Sequence, residues 1–217
     1  MIYLLWCTAN PELFIKTHQE WMDNAVHPME VKTLVAVDSQ EHADMLDGYH
    51  VIVTENPRHG ITVPLYILSD SIMAKGDDII IVPSDDFFPP TNWDMYLRET
   101  FYEFDGVFKV NDGYMKNIIS MPVMTYSALL KLNRIIYHPS YTHMFSDREL
   151  QDNAEELGIL KCADLVHPEF EHRHYVYKKR KKLESDIIHD NNYDEMMNLY
   201  EQRKRLPLNK RLIVDEF

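Results

Sequence analysis

An α/β fold built on a mostly parallel central sheet with flanking helices is predicted by three features of this chain. Aliphatic runs of strand length alternate with amphipathic segments of helix length through the first half. The run Ile79-Ile-Ile-Val82 is unbroken by polar residues, as a strand covered on both faces must be. Acidic residues stand just beyond strand-like runs, at Asp38 and at Asp85-Asp86, where open α/β sheets collect ligands.

Taken in order, Ile2 to Cys7 reads as the first strand. Asn10-Pro11 supplies a cap and a first-turn proline for a helix over 12–24, with apolar residues at Leu13, Phe14, Trp21 and Met22. Residues 31–37 form the second strand and end at Asp38. A short helix over 42–46, a strand over 51–54 and a helix over 63–74 lead to the Ile79 strand, which a Gly-Asp turn opens and Pro83 closes. In the second half a strand lies within 101–110, Asn111-Asp-Gly113 makes a turn, and an apolar strand over 118–124 precedes a helix over 125–133. Ser146 is placed to cap the next helix, with Glu149 at the capping-box position, and capping leaves Asp147 free.

Two stretches carry chemistry on their own. Adjacent carboxylates such as Asp85 and Asp86 repel each other in a turn unless a cation or a hydroxyl-rich ligand neutralises them. The following Phe87-Phe-Pro-Pro90 fixes that loop against the core, which favours a ligand role over a solvated turn. His172 and His174, two apart in an extended segment, share a face and can bind a divalent metal. The six glycines include no G-x-G-x-x-G spacing, so a nucleotide must be held by other means.

Composition bounds the rest. With 217 residues, 45% hydrophobic and 26% charged, the chain can bury a sizeable core as one domain, 1–175, followed by a basic helical extension, 176–217. The apolar opening lacks a basic leader and no stretch is long enough to span a bilayer, which suits a cytoplasmic protein. Cys7 and Cys162 have no metal-like spacing and fit a reducing compartment. The net charge of -13 argues against general affinity for nucleic acid or anionic membrane. The charge is unevenly spread: Arg173 to Arg211 holds eleven Lys or Arg against six Asp or Glu. The cluster Lys178 to Lys182, with Arg203 to Arg205 and Lys210-Arg211, is a candidate phosphate-binding surface.

Seven motifs in order carry a resemblance: Cys7-Thr-Ala-Asn-Pro11, Val35-Ala-Val-Asp38, Ala74-Lys-Gly-Asp77, Ser84-Asp-Asp-Phe87 with Pro90 and Trp93-Asp94, Asn111-Asp-Gly113, Ser146-Asp-Arg-Glu149 and Phe170-Glu-His-Arg-His174. From the first strand to about Arg203 the chain resembles glycosyltransferases of the GT-A fold, close to the inverting family 2 group and its small stand-alone bacterial and phage members. Ser84-Asp85-Asp86 resembles the D-x-D region, with a serine at its first acidic position.

The resemblance implies roles. Asp86 would ligate Mn2+ or Mg2+ with His172 or His174, and Asp85 would support the ribose or the metal's waters. Asp38 would contact the nucleoside of a nucleoside-diphosphate sugar such as a UDP-sugar, with Thr8 and Asn10 lining the same pocket. Asp147 would be the catalytic base, taking the acceptor hydroxyl's proton as that oxygen attacks the anomeric carbon opposite the leaving diphosphate. The acceptor side would lie within Asn111 to Phe145 and just beyond it, with Asp112, Tyr141 and Glu149 as candidates. The acceptor could be a glycan, a protein side chain or, through the basic tail, a modified base in phage DNA, the last placing the enzyme in the host cytoplasm. The alternatives are a nucleotidyltransferase that makes an activated sugar and a non-catalytic sugar- or nucleic-acid-binding module on a transferase scaffold.

Overall fold

The computed structural model describes residues 1–54, 60–114, 118–164, 166–182, 187 and 190–214. Its centre is a seven-stranded sheet in the order β3-β2-β1-β4-β7-β6-β8. The strands are β1 (Ile2–Thr8), β2 (Val31–Val37), β3 (His50–Val53), β4 (Ile79–Ile81), β6 (Val107–Lys109), β7 (Pro122–Thr125) and β8 (Leu160–Cys162). All run parallel except β7, which pairs antiparallel with β4 and β6. A separate ribbon joins β5 (Phe87–Phe88) to β9 (Glu171–His172), antiparallel.

Period-2 alternation along β1 builds both faces of the core. Ile2, Leu4 and Trp6 point to the face covered by α1 (Pro11–Asp23) and α4 (Trp93–Tyr102), where they meet Phe14, Trp21, Trp93 and Leu97. Tyr3 and Leu5 point to the face covered by α3 (Thr62–Ser71), α5 (Tyr126–Lys131) and α6 (Ser146–Glu156), among Leu65, Leu68, Leu129 and Leu150. The short α2 (Gln40–Asp44) joins β2 to β3. Since the chain steps outward from β1 to β3 and then returns to β4 on the other side of β1, the strand order reverses between β1 and β4. The crevice at their carboxyl ends is where such sheets bind ligands.

Several local expectations hold. Asn10 caps α1, accepting from the Leu13 N–H at 3.1 Å ahead of Pro11 at the first helical position. Others need correction. Ser146 is the first residue of α6 rather than its cap, because Phe145 before it takes a left-handed φ of 68° and turns the Ser146 hydroxyl back to the His143 carbonyl, 2.5 Å away. Glu149 closes no capping box, because its carboxylate is taken by Arg203 and Tyr141. The strand expected over 118–124 begins at Pro122. The helix α4 and the strands β5, β8 and β9 were not foreseen.

After β9 the chain forms α7 (Tyr193–Arg203) and α8 (Leu208–Arg211), which lie against α6. Arg203 donates to both Glu149 oxygens, with its closest approach at 2.8 Å, and Arg211 donates to Asn153 at 2.5 Å and pairs with Glu156. Leu212 is buried, and its carbonyl accepts from the Asn133 side chain at 2.8 Å. Among the described residues no helix is long and apolar enough to cross a membrane.

Candidate active site

The crevice between β1 and β4 is organised by Asp85. Its two carboxylate oxygens accept from Trp6 Nε1 at 2.7 Å and from the Thr8 hydroxyl at 2.8 Å, while its backbone carbonyl accepts from Thr17 at 2.8 Å. Thr8 in turn accepts from the Asn10 N–H at 2.9 Å. Both Thr8 and Asn10, expected on the donor pocket, therefore stand in the turn that joins β1 to α1, with the Asn10 side chain serving the helix cap. Burial pushes the Asp85 carboxyl up to about 6, against the two hydrogen bonds it receives.

Asp86 faces the other way. Oδ1 accepts from Ser84 at 2.6 Å and lies 3.6 Å from His172 Nε2, while Oδ2 accepts from Arg180 Nε and Nη2 at 3.2 and 3.1 Å. Burial would raise this carboxyl, but His172, Ser84 and Arg180 together hold it well below the usual carboxylate range. The β5–β9 ribbon creates the pairing: Phe87 sits opposite His172 in register, the rings stack with centroids 4.1 Å apart, and Arg173 N–H donates to the Asp86 carbonyl at 2.8 Å. His172 Nδ1 is buried and has no hydrogen-bond partner among the described residues. His174 lies beside it, ring centroids 5.1 Å apart, and its Nδ1 accepts from the Val176 N–H at 3.4 Å.

Among the described residues no three His, Cys, Asp or Glu side chains converge as a complete metal set. One carboxylate oxygen and one imidazole nitrogen do lie side by side, both largely buried, at Asp86 and His172. That donor pair fits a hard divalent cation of the kind that draws its remaining ligands from water and phosphate oxygens.

The other candidates stand at the ends of their own elements. Asp38 follows β2, half-buried; Ser39, not Asp38, caps α2. Burial raises the Asp38 carboxyl, partly offset by His42. Cys7, at the end of β1, is half-buried, and its thiol is pushed up first by burial and then by the charges of Asp38 and Asp85. Tyr137 is likewise raised by burial and by the charges of Asp147 and Cys7.

Asp147 stands in the first turn of α6, where a carboxylate is favoured by the helix dipole, and accepts from the Arg148 N–H at 2.7 Å. Burial nevertheless raises its carboxyl to about 6. Two residues before it, Phe145 takes a left-handed backbone that costs about 1–3 kcal/mol. That strain is held in place by packing on Tyr193 and Tyr200, centroids 5.1 and 5.7 Å away.

Tyr141 and Glu149 lie apart from this group, buried in the network with Arg203, the tyrosine donating to Glu149 at 2.8 Å. Asp112 is buried within its own turn, accepting from Ser120 and from the Tyr114 N–H. Sequence reasoning missed Trp6, Thr17 and Arg180. Only Arg180 left a signal, as one member of the basic cluster.

The architecture is the GT-A-like glycosyltransferase fold, a mostly parallel seven-stranded sheet with flanking helices. In particular, the chain is similar to S. aureus TarS 1-349, at 13% identity and a TM-score of 0.57 over 75% of this chain and 57% of that one. It is similar at 14% identity and a TM-score of 0.56 to the same fragment in complex with UDP. The mannosyltransferase PcManGT from Pyrobaculum calidifontis, in complex with GDP-Man and Mn2+, matches at 9% identity and a TM-score of 0.54, covering 79% of this chain and 55% of that chain. The chain thus spans little more than half the length of these neighbours. No protein-family model and no curated protein matches the sequence.

Proposed function

We propose that the chain is a metal-dependent, inverting glycosyltransferase that moves a sugar from a nucleoside-diphosphate donor to an acceptor hydroxyl. The observation that carries this reading is the convergence of Asp86 and His172 at the mouth of the β1/β4 crevice, in a fold shared with proteins solved with UDP and with GDP-Man and Mn2+. Asp86 and His172 would hold the cation, and Asp85 would keep the loop beneath them rigid. Asp38 is placed to meet the donor's nucleoside. Asp147 receives the acceptor proton. The cation, when bound, stabilises the charge that develops on the leaving diphosphate. A nucleic-acid acceptor would have fewer phosphate contacts than composition suggests, because Arg203 and Arg211 are buried in ion pairs, while Lys178, Lys179, Lys181 and Lys182 stay exposed.

The test is a thermal-shift panel of UDP, GDP and their sugars with Mn2+, with Mg2+ and with chelator. A nucleotide present at about 100 times its dissociation constant should add roughly 2.7 kcal/mol. The expected result is a metal-dependent shift with one nucleotide that Asp86→Ala removes. A panel without shifts would move the non-catalytic module to first place.

A pH dependence follows from Asp147. Since the carboxyl titrates at about 6 and acts as a base only when ionised, turnover should be full above that pH and fall as pH drops through it. A rate profile at saturating donor checks this. An acidic limb below pH 5, where an unperturbed carboxylate titrates, would contradict the raised carboxyl, and a limb near 6 that persists in the residual activity of Asp147→Asn would assign it to Asp85 instead.

A further inference from the structure

We infer that Arg180 is a donor-diphosphate ligand that rests on Asp86 while the site is empty and passes to the phosphate when nucleotide and cation enter together. The inference rests on the reading of the crevice as a nucleoside-diphosphate site and adds a residue from the C-terminal extension to it.

The contact itself sets the problem. Arg180 reaches across 94 residues to Asp86 and places Nε and Nη2 on the single oxygen Oδ2, with its side chain 19% exposed and that of Asp86 12%. Its Nη1 donates to the Lys181 carbonyl at 3.0 Å, and the guanidinium lies over the Tyr175 ring at 5.6 Å. The segment around it is tied down on both sides. Before it, Tyr177 stacks on Tyr114, with centroids 3.8 Å apart and planes 6° apart, and Lys179 reaches Glu171 at 3.5 Å; after it, Lys182 pairs with Asp190 at 2.5 Å. Arg180 is therefore held over the carboxylate by its neighbours.

A divalent cation on Asp86 and a guanidinium on the same carboxylate are like charges a few ångströms apart in a poorly solvated place, and each weakens the other's hold on it. A guanidinium loosened in this way is a planar donor fork beside a shared carboxylate, and phosphate satisfies it best. The diphosphate of the donor is the anion that the cation would bring to that point. Cation and nucleotide should then bind cooperatively, each removing the obstacle to the other.

The experiment compares the full chain with Arg180→Gln, Arg180→Lys and, as a control for net charge, Lys161→Gln, an exposed position on β8. Mn2+ binding alone is read by the electron paramagnetic resonance of free Mn2+, and UDP and GDP binding with Mn2+ by calorimetry. A charged hydrogen bond changes an affinity by about tenfold or more. Arg180→Gln is therefore expected to bind Mn2+ alone about tenfold more tightly and nucleoside diphosphate in the presence of Mn2+ about tenfold more weakly, which, with nucleotide binding in chelator unchanged, lowers the coupling between them about tenfold. Arg180→Lys, which keeps the charge and loses the fork, should fall between, and Lys161→Gln should match the unaltered chain. Unchanged Mn2+ affinity in both Arg180 variants overturns the inference alone, as does weaker binding of both ligands, which would mark Arg180 as merely structural. If the unaltered chain binds neither UDP nor GDP with Mn2+, the nucleotide reading fails and the inference with it.

Discussion

Asp147→Asn is expected to leave the melting temperature and the affinity for nucleoside diphosphate unchanged while lowering turnover by roughly 10²–10⁴-fold. The substitution is isosteric, and Asn keeps an oxygen for the Arg148 N–H that Asp147 now engages at 2.7 Å. The small loss of favourable charge at the start of α6 is opposed by relief from the burial that raises this carboxyl. What disappears is the ability to take a proton. Measuring sugar transfer and nucleotide binding on the same preparation separates the two effects. Full turnover would remove Asp147 from the role of base, and an equal loss of nucleotide binding would make it a structural residue.

The second large effect is on stability. Glu149→Gln is expected to destabilise the protein by about 3–5 kcal/mol, a fall in melting temperature on the order of 10 °C. Glu149 is 3% exposed, accepts from Tyr141 and is held at both oxygens by Arg203, which is itself buried and also donates to the Arg211 carbonyl at 2.9 Å. Removing the negative charge strands a buried guanidinium. Replacing the pair by apolar residues of similar size, Glu149→Leu with Arg203→Met, should recover much of the loss, because neither charge is then left alone. A Glu149→Gln protein that melts within a degree of the parent would show that the network carries little of the attachment of α7 to α6.

Much of the sheet was legible because the period-2 and continuous apolar patterns of β1, β2 and β4 reflect burial directly, and the Asn10-Pro11 pair announces α1 by its chemistry. Asp38 and Asp85-Asp86 stood out because strand ends place polar residues at the crevice whatever the family. The rest was hidden for identifiable reasons. The two-residue strands β5 and β9 carry no periodicity, and their pairing is set by a Phe87–His172 stack across 85 positions of sequence. Ser146 matched a capping pattern, but the pattern assumes an extended residue at the cap, and Phe145 is left-handed there. Charge alone could not separate Arg203 and Arg211, which are buried in ion pairs, from the exposed lysines between 178 and 182. Arg180 differed from its neighbours only through a carboxylate nearly a hundred residues away.

The central place of β1 in the sheet bears on how the chain is made. Ile2 pairs with Ile79 in β4, so β1 is synthesised ahead of a partner 77 residues behind it. At a translation rate of about 5–20 residues per second, that wait is roughly 4–15 s, far longer than collapse of a nascent segment takes. Throughout it the backbone edge of Ile2 to Leu4 that β4 later covers is unpaired, and Trp6 and Thr8 have no Asp85 to hold. Newly made chains are most exposed to misassociation on the ribosome before Ile79–Ile81 emerges, and protection by a nascent-chain chaperone is worth most to this protein in that interval.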